Sequence, residues 1–171
     1  MTNTAIMKML QTASLHSLLM MTSKALSRSG FGDVQILDRR EAKQKSRHGG
    51  HELLCVTTIG GVPLRVVVKV IRDSFRVRMF DELAGVVLRQ NADMGILISP
   101  QQGNELGVKW QPKYRPLKIY SMDGHALSRM ISRSRIGTKD GLTPDYAFLE
   151  ELEEMGARVR SFMNAKEAHV A

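Results

Sequence analysis

The chain has 171 residues, with 25 Lys and Arg against 17 Asp and Glu and a formal net charge of +8 at neutral pH. Its 43% hydrophobic and 25% charged residues are ordinary globular proportions, which excludes a chain too polar to build a core. A single cysteine, Cys55, excludes an internal disulfide framework, no Cys/His spacing resembles a structural zinc site, and the apolar runs fall far short of the roughly 20 residues a membrane span needs.

Residues 4–28 place Ile6, Met9, Leu10, Ala13, Met20, Met21 and Leu26 at helical spacing and stop at Gly30, which predicts a first helix. Residues 31–37 read as a short strand, followed by a polar basic loop over 38–50. The β-rich runs 52–58 and 62–71 flank Ile59, Gly60 and Gly61 and predict a tight antiparallel hairpin. Over 76–92, Val77, Phe80, Leu83, Ala84, Val87 and Leu88 repeat at i, i+3, i+4, i+7, the strongest helical pattern in the chain. Residues 95–99 (GILIS) suit a buried strand, 100–116 a loop, 117–122 a last strand, Asp123-Gly124 a turn, and 126–131 the start of a helix. Residues 148–163 are acidic at the start and basic at the end, matching a helix dipole. This order predicts an α/β protein with a mixed central sheet flanked by helices. With no secretory signal at its N-terminus, the chain is expected to be soluble, unprocessed and cytoplasmic. Its positive charge favours a polyanionic partner, nucleic acid first.

Four stretches carry a family resemblance. Ser29-Gly30-Phe31 closes the first helix with a Gly-aromatic pair. His48-Gly49-Gly50-His51-Glu52 opens a strand. Residues 67–85, VVKVIRDSFRVRMFDELAG, join a strand bearing Lys69 to a helix bearing Glu82. Residues 118–137, KIYSMDGHALSRMISRSRIG, form a closing strand, an Asp-Gly turn and a helix ending in Ile-Gly. In order and spacing the chain resembles the type IV, methyl-directed restriction endonucleases of the Mrr family. The resemblance implies a restriction-endonuclease-like core over residues 1–140, with a C-terminal helical tail over 141–171. It also implies a DNA endonuclease that hydrolyses phosphodiester bonds with Mg²⁺ or Mn²⁺.

In such a site carboxylates on neighbouring strands hold a hard cation, and a Lys on the same face stabilises charge developing on the phosphate. The resemblance places Glu52 at the first carboxylate, Lys69 at the catalytic cation and Glu82 at a second, helix-borne carboxylate. Glu52 and Glu82 are then the metal ligands. Strand parity puts residue 67 on the face of Lys69, but it is Val67, which cannot bind metal. The family's first carboxylate is usually Asp, one methylene shorter than Glu52. Relatives also place a Glu in the first helix where this chain has Leu18-Leu19-Met20. Each residue has a plainer reading as well. Lys69 could protect an edge strand, Glu52 could be a solvated strand-start carboxylate, and Glu82 an exposed helix residue. His48 and His51 are either metal ligands or phosphate contacts, or else polar loop residues. Cys55 reads as a small buried hydrophobe, and the methionines of the first helix as core.

Arg39, Arg40, Lys43, Lys45 and Arg47, with Arg72, Arg76 and Arg78, could track a DNA backbone, as could Arg129, Arg133, Arg135 and Lys139. Trp110 and Tyr114, among Lys109, Lys113 and Arg115, could stack on bases or pin their loop to the core. Two functions remain open from sequence. One is a metal-dependent endonuclease, which would cut both strands as a homodimer and take its target from loops, DNA structure or a separate recognition partner. The other is a catalytically impaired nuclease fold serving as a DNA-binding or assembly module.

Overall fold

The computed structural model describes residues 4–37, 50–103 and 116–168, with side chains throughout except at 160 and 162–168. The expected first helix is broken in two, α1 (Thr4–Thr12) and α2 (Leu15–Arg28). Ser14 explains the break: its backbone is extended at φ −63°, ψ 161°, and its side chain accepts the Ser17 N–H at 3.1 Å. A serine that satisfies an orphan helical donor starts a helix rather than continuing one.

The strands are β1 (Gly32–Ile36), β2 (Gly50–Ile59), β3 (Val62–Ile71), β4 (Met94–Ile98) and β5 (Lys118–Met122). They form one five-stranded sheet in the order β1-β2-β3-β4-β5. The pairs β1/β2 and β2/β3 are antiparallel; β3/β4 and β4/β5 are parallel. The predicted hairpin has a two-residue loop, Gly60-Gly61, with Ile59 paired to Val62 and φ of +58° and +82°. Those positive values match the twist of the flanking strands and favour glycine at both places.

Helix α3 (Val77–Arg89) connects β3 to β4, as a parallel pair requires, and covers one face of the sheet. The other face is covered by α1, α2, α4 (Gly124–Ser134) and α5 (Tyr146–Ala168). The predicted Asp123-Gly124 turn is the start of α4: Asp123 accepts the Ala126 N–H at 2.9 Å, so the carboxylate caps the helix. Leu149 and Leu152 of α5 are buried in the same core as α2, and Glu153 accepts the Ser14 N–H at 2.7 Å.

β3 is the middle strand and is apolar on both faces. Val66, Val68 and Val70 enter the core beneath α2, while Val67 and Ile71 enter the core beneath α3. This double burial accounts for the unbroken valine run, and it sets Lys69 on the α3 face between Val67 and Ile71.

Candidate functional site

Lys69 lies near the C-terminal end of β3 with 1% of its side chain exposed. An ammonium cannot be buried there without partners, and the structure supplies two. Glu52 is directly opposite on β2, and its Oε1 accepts from Lys69 Nζ at 3.0 Å. Glu82, in the second turn of α3, accepts from the same nitrogen through Oε2 at 2.8 Å. The three residues named from sequence therefore meet at one point. Lys69 is not an edge-strand residue, and Glu82 is not a helix residue turned wholly to water.

Two glycines set the spacing of this cluster. A Cβ on Gly50 would lie 2.9 Å from the Val70 carbonyl oxygen and 3.2 Å from Lys69 Cε, so the missing side chain gives the lysine stem its place. A Cβ on Gly95 in β4 would lie 2.8 Å from Val87 Cγ2 and 3.0 Å from both Leu83 Cγ and Ile119 Cδ1. Gly95 thus lets α3 approach the sheet closely enough for Glu82 to reach Lys69. A glycine inside an apolar strand is the sequence mark of such close approach, but no local pattern says what approaches. The buried rings of Phe75 and Phe80, with centroids 5.8 Å apart, anchor the start of α3.

The cluster opens toward solvent on the Glu82 side, where 30% of that side chain is exposed against 13% for Glu52. It lies at the carboxyl ends of β3 and β4, the edge at which open α/β sheets bind ligands. Here the chain leaving β3 is tied to the chain leaving β4: Ser99 Oγ donates to the Asp73 carbonyl at 2.7 Å and Gln101 Nε2 to the Arg72 carbonyl at 2.9 Å. Gln102 and His125 approach through Nε2 atoms 3.3 Å apart, which joins the same edge to the first turn of α4. Sequence reasoning passed over these glutamines because their role is set by the meeting of three strand exits.

Val67 shares the face of Lys69, as parity requires, and is buried against α3. The place of an expected middle ligand is therefore packed core. His51 is next to Glu52 on β2 and shares the parity of Leu53 and Cys55, which enter the core beneath α2; it stands on the face away from the cluster. Cys55 is buried, with Sγ 3.6 Å from the Val66 carbonyl oxygen, and burial pushes its thiol up to about 11. A thiol held protonated is a packing residue. Met9 and Met21 are buried core.

Arg72 and Arg76 are exposed in and beside the connection from β3 to α3, on the edge where the cluster opens. Arg129 and Arg133 are exposed on α4, in the other layer. Arg39, Arg40, Lys43, Lys45, Arg47, His48, Trp110 and Tyr114 lie outside the described residues. No described helix is long and apolar enough to cross a membrane.

Among the described residues, no group of three or more His, Cys, Asp or Glu is placed to hold a metal ion. A smaller set is present. Glu52 and Glu82 offer hard carboxylate oxygens around one point, and the Lys69 ammonium already stands there as a cation. Mg²⁺ is commonly held by one or two carboxylates, with water and substrate phosphate completing its shell. The donor set fits that mode and does not fit an all-protein cage. No model of a known protein family matches the chain, and no curated protein matches it.

Proposed function

We propose that the chain is a DNA-binding protein with a restriction-endonuclease-like core and that Glu52, Lys69 and Glu82 form its phosphodiester-hydrolysing site. The observation that carries this reading is the convergence of two carboxylates on one buried lysine at the carboxyl edge of β3 and β4. The reading also draws on the Mrr-type sequence resemblance and on a mixed five-stranded sheet flanked by helices.

In the reaction, Arg72 and Arg76 would hold flanking phosphates, contributing affinity without sequence choice. Lys69 would donate to a non-bridging oxygen of the scissile phosphate as negative charge builds there. Glu52 and Glu82 would hold Mg²⁺ or Mn²⁺, with Glu52 fixed by its place on β2 opposite Lys69 and Glu82 by the docking of α3. A divalent cation at these carboxylates supplies charge neutralisation on the phosphate and a lowered pKa for the attacking water. A second reading, a nuclease scaffold that binds DNA without cutting it, draws on the burial of Val67 and the two-carboxylate donor set.

Supercoiled plasmid, methylated and unmethylated, incubated with purified protein and Mg²⁺ or Mn²⁺ separates the two readings. Nicking or linearisation, abolished in Glu82→Gln and Lys69→Met, is the expected result. Salt-sensitive binding without cutting under either metal establishes the binding module. Absence of both removes the nucleic-acid reading.

A further inference from the structure

The two carboxylates already hold a cation. Lys69 Nζ is within 3.0 Å of an oxygen of each, and its side chain is 1% exposed. Counted among Glu52, Glu82 and Lys69 alone, the formal charge of the cluster is one negative. A divalent cation added to it leaves one positive charge, crowded beside an ammonium that competes for the same oxygens in a poorly solvated place. A phosphodiester brings the missing negative charge and gives the ammonium a new acceptor. A Cβ on Gly50 would crowd the lysine stem at 3.2 Å from Cε, and the cluster is more exposed toward Glu82 than toward Glu52. Glu82 is thus the member through which the cluster meets solvent, and a phosphate reaches the ammonium from that side as the carboxylate turns to the cation.

Resting on the reading of Glu52 and Glu82 as cation ligands, we infer that Lys69 competes with the divalent cation for these acids. Cation and phosphodiester therefore bind cooperatively, the ammonium passing from the carboxylates to the phosphate. Linkage makes the effect reciprocal: the cation tightens the phosphodiester by the same factor. The protein alone is a poor metal binder, and DNA makes it a better one.

The test is a Mn²⁺ titration of the full chain followed by electron paramagnetic resonance of the free ion, with and without a short phosphorothioate duplex that resists hydrolysis. Glu82→Gln with the same duplex gives the background from metal bound to DNA. Wild-type affinity above that background should rise about tenfold or more when the duplex is present. Lys69→Met without DNA should bind Mn²⁺ at least tenfold more tightly than wild type without DNA, and the duplex should add little to it. Equal wild-type affinity with and without duplex would overturn the competition while leaving the acids as ligands. No Mn²⁺ binding above background by wild type or Lys69→Met would overturn that ligand reading, and the competition with it. The wild-type comparison decides the matter even if Lys69→Met does not fold.

Discussion

Lys69 is tolerated in the middle strand because its charge is matched on two sides. Lys69→Met keeps the stem and removes the ammonium, leaving Glu52 and Glu82 to face each other in a poorly solvated place. Breaking a buried pair costs about 3–5 kcal/mol, and urea denaturation should register a loss of that order. A loss below about 1 kcal/mol would mean the cluster contributes no more than an exposed ion pair. Cys55 gives a second prediction at this scale. Burial raises its thiol from the ordinary 9.0 to about 11, so the folded chain holds the proton more tightly than the unfolded one. The stability this contributes is complete below pH 9 and is lost as pH rises toward 11, at about 1.4 kcal/mol per pH unit. Chemical denaturation at pH 8, 9.5 and 11, repeated with Cys55→Ala, should show a steeper alkaline decline in the wild type. Parallel declines would remove the thiol as the cause.

The docking of α3 is set by an absence, the missing Cβ of Gly95. Gly95→Ala places a carbon against Val87, Leu83 and Ile119 at 2.8–3.0 Å, and overpacking of this kind costs about 1–3 kcal/mol. Because Glu82 rides on α3, the proposed nuclease reading has the same change lower plasmid cleavage by more than the stability loss alone explains. Adding Val87→Ala makes room for the new methyl, so the pair should be less damaging than the sum of the two single changes. Strict additivity would show that the new methyl does not press on Val87.

At the scale of the whole molecule, the positive residues divide between layers. Arg72 and Arg76 stand at the edge where the lysine cluster opens, while Arg129 and Arg133 stand on α4 across the sheet. On the proposed DNA-binding reading, a duplex over the cluster loses about one unit of salt-dependence slope for each of Arg72→Ala and Arg76→Ala, with affinity falling alike for all sequences. Arg129→Ala and Arg133→Ala should leave that slope almost unchanged. Gel shifts across a salt series measure both. An equal effect from the α4 pair would place the duplex on the other layer or around the edge of the sheet.

Much of this was legible in the chain. The alternation and glycine pair of residues 50–71 define the hairpin, and the spacing of residues 76–92 defines α3, because period and turn chemistry are local. A lysine inside a valine run announced a charge needing partners. Local pattern was a poorer guide where a side chain could choose between continuing and capping an element: Ser14 ended one helix and began another, and Asp123 became a cap where a turn was expected. The family resemblance named Glu52, Lys69 and Glu82, and of the three only Lys69 stood out by local pattern. Tertiary structure alone brought them together, since their contact depends on strand register, on the depth at which α3 sits over Gly95 and on the room left by Gly50. These are distances between elements, and no short stretch of sequence encodes them.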